Sequence, residues 1–309
     1  MIVSSKRRRF LNRLNSQKYL YMLLAVPLIW FLVVCYYPMA GIVIAFKEFD
    51  LSKGIFGSPW VGLKYFRQFA ESYQFATVLR NTLGISILKL IIGFPIPIIF
   101  ALMLNEVRSL KYKKVVQTVS YLPYFISWVI IIGIWGTMLS VDGGIINKLF
   151  IYLGIVNEPV NFMLSSQYMW PISIITDIWK NIGWNSIIFI ASLASINTEL
   201  YDASGIDGAG RWKQLWHVTL PGMRPTITIM FIFAVGSIFY ANFEQMYMLG
   251  KLPVLDATEV IDTYVYRVGL KQLQFSIGAA ASLMRSVVAI ILLFITNKLA
   301  KLVGEEGIW

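Results

Sequence analysis

Lys89, Asp177, Lys180, Glu244 and Arg285 lie within or beside long uncharged stretches of an otherwise apolar chain. An ionised group in such surroundings is costly unless it meets a partner or a water-filled cavity, so each is a candidate for handling a polar solute. Asp177 and Lys180 stand three apart on one expected helix and could instead neutralise each other. Lys89 and Arg285 could bridge helices or subunits. At helical spacing, Asp177, Asn181 and Trp184 share one face, and Tyr240, Phe243, Glu244 and Tyr247 share another. A path lined by such residues offers hydrogen-bond partners beside aromatic rings, which suits hydroxyl-rich molecules with C–H faces, such as sugars. The candidates for such a path are Asp177, Asn181, Trp184, Tyr240 and Glu244. Helix packing and an interfacial aromatic belt would use the same residue types.

Little else could be reactive. His217 is the one histidine and reads as a surface residue. Cys35 is the one cysteine, which leaves neither an internal disulfide nor a thiolate metal cluster. No G-x-x-x-x-G-K-[ST], HExxH or GxSxG pattern occurs, so the chain has neither a phosphate-cradling loop of its own nor a recognisable hydrolytic constellation. No metal site is expected.

These residues must be positioned by elements that live in a membrane. Of 309 residues, 57% are hydrophobic and 14% charged, well below the roughly 25% charged of soluble domains. The net charge of +11 comes from basic residues that flank apolar runs, which reads as topology rather than nucleic-acid binding. Letting charged clusters end uncharged runs predicts an all-α, six-helix membrane protein with spans near 20–46, 82–105, 115–140, 168–196, 225–247 and 276–297. Residues 1–19 form a basic N-terminus, 20–297 the membrane domain and 298–309 a tail. Lys6 to Lys18 before the first span, and Arg108, Lys111, Lys113 and Lys114 after the second, predict that both termini face the cytoplasm. Proline and glycine recur inside the spans, as in bundles built round a pathway.

The fourth connection, within 199–222, is then cytoplasmic. It reads Tyr201-Asp202-Ala203-Ser204-Gly205-Ile206-Asp207-Gly208-Ala209-Gly210 and ends on Val218-Thr219-Leu220-Pro221. Two short polar helices joined by a glycine turn fit it, with a helix start at Asp202, the turn at Gly208 and Gly210, and Pro221 stopping the second piece. Small side chains at Ala203, Ser204 and Ala209 would admit another protein's surface close to the backbone.

This stretch resembles the EAA loop of binding-protein-dependent ABC importers. An acid and two small residues are followed after three positions by a glycine, and after nine more by aliphatic-x-Leu-Pro, met here by Asp202, Ala203, Ser204, Gly208, Val218, Leu220 and Pro221. Asp207-Gly208-Ala209 matches the form usual in sugar permeases. The family generally has Glu at the position of Asp202 and Ala at that of Ser204. Asn81-Thr82-Leu83, the Trp179–Trp184 segment and the Glu305–Trp309 ending resemble the oligosaccharide and polysaccharide permease branch, without the large external insertion of the maltose type.

The resemblance implies the type I importer permease fold, with Asp202 through Ala209 as a coupling helix docking into a partner ATPase. It also implies a second homologous permease, two ATPase subunits that bind the ATP, an extracellular solute-binding protein and a sugar substrate. The chain itself would carry no cofactor and no enzymatic activity, and would sit in the cell membrane among lipid. The alternative is an ion-coupled secondary transporter, for which an inverted repeat would be expected.

Overall fold

The computed structural model describes residues 16–302. The basic cluster Lys6–Arg13 and the Glu305–Trp309 ending lie outside them. The described residues are nearly all helical, with one isolated bridge, Lys47 to Trp60. Four helices are long and apolar enough to cross a membrane: α1 (Lys18–Phe46), α2 (Phe75–Glu106), α7 (Arg211–Gly236) and α9 (Phe275–Leu302). A fifth candidate is a bent pair, α3 (Leu110–Phe125) and α4 (Trp128–Met138). Between them runs α5 (Ser166–Ala194), whose 29 residues span roughly 43 Å at 1.5 Å per residue. It is long enough to cross but too polar to count by hydropathy. The expected six spans are therefore met by length only when α5 is included.

The polarity of α5 follows from its place in the bundle. It packs against α2, α3 and α7, and buries Ser173, Thr176, Lys180, Ser186 and Ser192. Ser173, Thr176 and Ser186 donate to carbonyls of α5 itself and Lys180 to carbonyls at the end of α3, so α5 need not be apolar all round. α1, by contrast, exposes nearly all its length, including Leu23, Val26, Ile29 and Val33, as suits a helix facing hydrocarbon.

Two helices widen just ahead of prolines. In α2 a π turn over Lys89–Gly93 precedes Pro95 and Pro97; in α7 a π turn over Leu215–Thr219 precedes Pro221. A proline lacks an N–H and crowds the carbonyl four residues back, and widening the preceding turn absorbs both faults without ending the helix. Pro221 therefore does not stop the second loop helix, which continues into the fifth span as α7.

Two spans differ from the sequence expectation. The third is broken at Ile126-Ser127, where both residues are extended and the axis bends by 105°. The fifth begins at Arg211 and ends at Gly236 rather than covering 225–247. Beyond it Asn242 adopts φ 65°, and its side chain accepts from the Gln245 amide to start α8 (Phe243–Leu249). Hydropathy did not reveal this turn because its flanks are as apolar as a span. The second span also starts earlier than expected, at Phe75.

Glu106 and Arg211 approach to 3.5 Å, which places the 107–109 connection and the EAA-like loop at one end of the bundle. At the other end the connecting segments interlock. Asn81, fully buried, donates to the Asp256 and Glu259 carbonyls at 2.9 and 3.0 Å. Thr82 accepts from the Ile261 amide, and Trp170 donates to the Ala257 carbonyl. The Asn81-Thr82 pair thus sits within α2 and anchors the 255–261 segment. Beneath it a core of Ile85, Trp128, Ile131, Met169, Met246 and Val260 joins α2, α4, α5 and α8.

Candidate functional site

Two features stand out, a cleft in the bundle and the loop at its end. The cleft, of about 550 Å³, lies between α2, α5 and α7 and the chain that follows α7. Its polar lining comes from Ser86, Lys89, Asp177, Asn181, Asn185, Ser237, Tyr240 and Asn242, with Phe94, Phe189 and Phe233 among the apolar side chains. Lys89 and Asp177 are the charged residues of that lining.

The π turn beginning at Lys89 sets its side chain into the cleft, where Nζ lies 3.3 Å from Asp177 Oδ1 and donates to Gln245 Oε1 at 2.6 Å. Gln245 is fully buried and fixed from behind, its Nε2 donating to the Ser173 carbonyl at 2.6 Å and to Thr176 Oγ1 at 2.8 Å. Asp177 thus pairs across helices with Lys89, not along its own helix with Lys180. Lys180 turns to the other side of α5 and donates to the Pro123, Tyr124 and Ile126 carbonyls. Its ammonium also lies over the Tyr124 and Trp128 rings. Those carbonyls end α3 at the break in the third span, so Lys180 supplies donors to a helix terminus that has lost its own.

Of the five path candidates, Asp177, Asn181 and Tyr240 line the cleft. Trp184 instead stacks on Tyr124 at 4.2 Å between centroids. Glu244 is exposed in the first turn of α8. Because Asn242 breaks the helix, Tyr240 does not share a face with Phe243 and Tyr247, whose rings stack with each other and meet Tyr266. Arg285 pairs with Asp262 and lies 4.3 Å over the Tyr240 ring, joining the last span to the segment before it. Gln245 and Asn185 were not singled out from sequence. Neither is charged, and nothing local marks an amide as facing a cleft.

The loop is a compact two-helix unit. α6 (Thr198–Ile206) starts four residues before the expected Asp202, because Asn197 caps it by accepting from the Glu199 amide at 3.0 Å. Asp202 and Ala203 therefore lie within the helix, exposed, and Asp207 is its exposed C-cap. Gly208 holds φ 75° with open space about its missing Cβ, so here glycine is required by conformation. Ala209 returns its amide to the Ser204 carbonyl at 2.9 Å, which closes the turn into α7.

Ser204 serves the inside of this unit. Its hydroxyl donates to the Tyr201 carbonyl and accepts from Gln214 Nε2 at 3.0 Å, while Gln214 also reaches the Tyr201 carbonyl at 3.3 Å. The Tyr201 and Thr219 hydroxyls meet at 3.0 Å. Gln214, Tyr201 and Thr219 thus latch α6 to the start of α7. Leu220 and Pro221 follow in α7, where Gly222 lets α7 pass Ile196. The outward face carries Ile206 and Trp212, 88% and 76% exposed. His217 is exposed, with Nδ1 3.0 Å from the Lys213 carbonyl. Among the described residues no group of His, Cys, Asp or Glu could hold a metal ion.

A helical bundle with a polar cleft and a latched two-helix unit at one end matches a known class of transport protein. The family described as binding-protein-dependent transport system inner membrane component matches residues 93–304. This chain belongs to that family. It is the membrane-spanning component of a binding-protein-dependent transport system. It is 43% identical to the polygalacturonan/rhamnogalacturonan transport system permease protein YteP of Bacillus subtilis (strain 168), over 98% of this chain and 94% of that one. It superposes with a TM-score of 0.88 and 36% identity on a chain of a bacterial alginate ABC transporter in complex with an alginate pentasaccharide-bound periplasmic protein, covering 96% of this chain and 99% of that one. A second structure, of a bacterial ABC transporter importing the acidic polysaccharide alginate, gives 0.87 and 37%, over 95% and 98%.

Proposed function

We propose that this permease carries oligosaccharide across the cell membrane, received from an extracellular solute-binding protein, as one of two homologous permease subunits driven by two ATPases. The sugar assignment draws on the relatives, whose names refer to polygalacturonan, rhamnogalacturonan and alginate, and on a cleft that mixes hydrogen-bonding and aromatic side chains. ATP hydrolysis is assigned to the partners, since the sequence has no P-loop motif. Both termini and the α6 unit face the cytoplasm in this reading, following the basic flanks of the second connection.

The observation that carries the proposal is the α6 unit. Internal hydrogen bonds make it rigid, yet it leaves Asp202, Ala203, Ile206 and Asp207 outward. ATPase closure would push this unit, and the latch to α7 would carry the motion to a cleft wall that includes Met230 and Phe233. The test is uptake of labelled oligosaccharide into proteoliposomes holding this chain with its second permease and ATPases. Uptake should require ATP, the ATPases and the binding protein together. Uptake by this chain alone, driven by an ion gradient, would overturn the reading in favour of a secondary transporter. A cysteine at Lys113 should react only from the cytoplasmic side, and one at Gly143 only from outside.

A further inference from the structure

A lysine set deep in a bundle and facing a solute cleft needs a reason, because an apolar residue there would cost nothing in desolvation. The Lys89 ammonium has three hydrogens and two partners, Gln245 Oε1 at 2.6 Å and Asp177 Oδ1 at 3.3 Å. The two contacts differ in kind. Gln245 is fully buried and locked by Ser173 and Thr176, so it holds the ammonium from behind. Asp177 is longer in contact, half again as exposed as Lys89 or more (side chains 23% and 13%), and itself part of the cleft lining.

We propose that Lys89 is the cleft's carboxylate reader: a uronate group on the passing oligosaccharide replaces Asp177 on the Lys89 ammonium, while Gln245 keeps that ammonium in place. This rests on the sugar-import reading above and narrows it to acidic oligosaccharides. The exchange needs no net change of charge at the ammonium. Asp177, once released, turns to a cleft that also offers the Asn181 and Asn185 amides. A neutral sugar gains no such exchange, because a hydroxyl is a weaker acceptor for an ammonium than the carboxylate it would displace. The arrangement also keeps binding weak. The uronate gains only the difference between two carboxylates on one lysine, and a transport site must release what it binds.

The test uses the assembled importer with its binding protein in proteoliposomes, and compares uptake of trigalacturonide with that of its methyl-esterified form. The two probes share length and linkage and differ in charge. Discrimination by the binding protein is common to every variant and cancels when each is referred to the unsubstituted complex. Lys89→Met should lower the preference for the acidic probe about threefold, less than the roughly tenfold of a full charge-assisted contact, because the uronate gains only its excess over Asp177. The double variant Lys89→Met/Asp177→Asn should show the same loss without leaving a lone buried carboxylate. Asp177→Asn alone should shift the preference the other way, since Lys89 then has no competing anion. Equal loss of both probes in all three variants would overturn the inference and make the pair a structural bridge only. Uptake of neither probe by the unsubstituted importer would instead remove the acidic-sugar assignment itself.

Discussion

Lys180 Nζ donates to the Tyr124 carbonyl at 2.8 Å, one turn away from the point where Gly183 of the same helix meets Ser120. A Cβ on Gly183 would stand 2.1 Å from the Ser120 carbonyl oxygen. Both residues therefore serve the break in the third span, Gly183 by admitting its backbone and Lys180 by bonding its terminal carbonyls. Gly183→Ala should lower the melting temperature of the detergent-purified complex, because backbone must shift. Lys180→Met should leave the partly buried Tyr124 and Ile126 carbonyls without this donor, at about 1 kcal/mol for each, while the Pro123 carbonyl keeps the Ile126 amide. Lys180→Arg should retain part of that stability. Thermal melting followed by size-exclusion chromatography would register either change, and two variants melting like the parent would contradict this account of the break.

Asn81 makes the corresponding tie at the opposite end of the bundle. Its amide nitrogen bonds two carbonyls of the 255–261 chain, and the residue is fully buried. Asn81→Leu should therefore destabilise the complex by about 1–3 kcal/mol, since it orphans the Glu259 carbonyl while the Asp256 carbonyl keeps the Arg80 guanidinium at 3.2 Å. Asn81→Asp should be destabilising too, since one carboxylate oxygen would face the Glu259 carbonyl as an acceptor, while the other keeps the Arg80 guanidinium that donates to Asn81 Oδ1 at 3.2 Å. Limited proteolysis of the 250–260 segment is the direct check, and cleavage no faster than in the parent would refute the anchoring role.

The sequence made the class of the molecule legible through the run of uncharged residues about Leu20–Phe46 and the spacing from Asp202 to Pro221. It was less informative wherever the backbone leaves a regular helix inside an apolar stretch. Ile126-Ser127 and Asn242 redirect the chain without any change in hydropathy, so the third span looked straight and the fifth looked displaced. α5 carries the opposite lesson, because Ser173, Thr176 and Ser186 turn their hydroxyls onto carbonyls of α5 itself while Asp177 and Lys180 pair with neighbours that sequence alone does not name. The Lys89–Asp177 pair spans 88 positions, and a helical-spacing argument could only offer Asp177 its local neighbour Lys180.

Gln214 was likewise unmarked in the sequence, yet it bonds both the Tyr201 carbonyl and the Ser204 hydroxyl. Removing it by Gln214→Ala should leave folding nearly intact, at a cost of about 1 kcal/mol, while loosening α6 from α7. The expected result is an importer that binds its ATPases and hydrolyses ATP but moves several-fold less sugar per ATP. Measuring uptake and phosphate release in the same vesicles gives that ratio directly. An unchanged ratio would mean that the latch does not transmit motion.

Gly208 separates the two demands that a coupling turn can make on one residue. Its φ of 75° is a conformation that costs an ordinary L-residue roughly 1–2 kcal/mol, yet a Cβ there would touch nothing of this chain within 4 Å. Within the chain the requirement is therefore conformational only. Asparagine visits this region more readily than other non-glycine residues, so Gly208→Asn should keep the turn, whereas Gly208→Val should lose it. Circular dichroism and membrane insertion should be normal for both variants, because the turn lies outside the spans. If the ATPase packs directly on this backbone, as proposed, both variants should lose co-purifying ATPase and ATP-dependent uptake, valine more completely. If only the turn matters, Gly208→Asn should bind and transport nearly as the parent does, and Gly208→Val alone should fail. Normal assembly and uptake in Gly208→Val would show that the α6 unit is a connector and not the point at which the ATPase grips the permease.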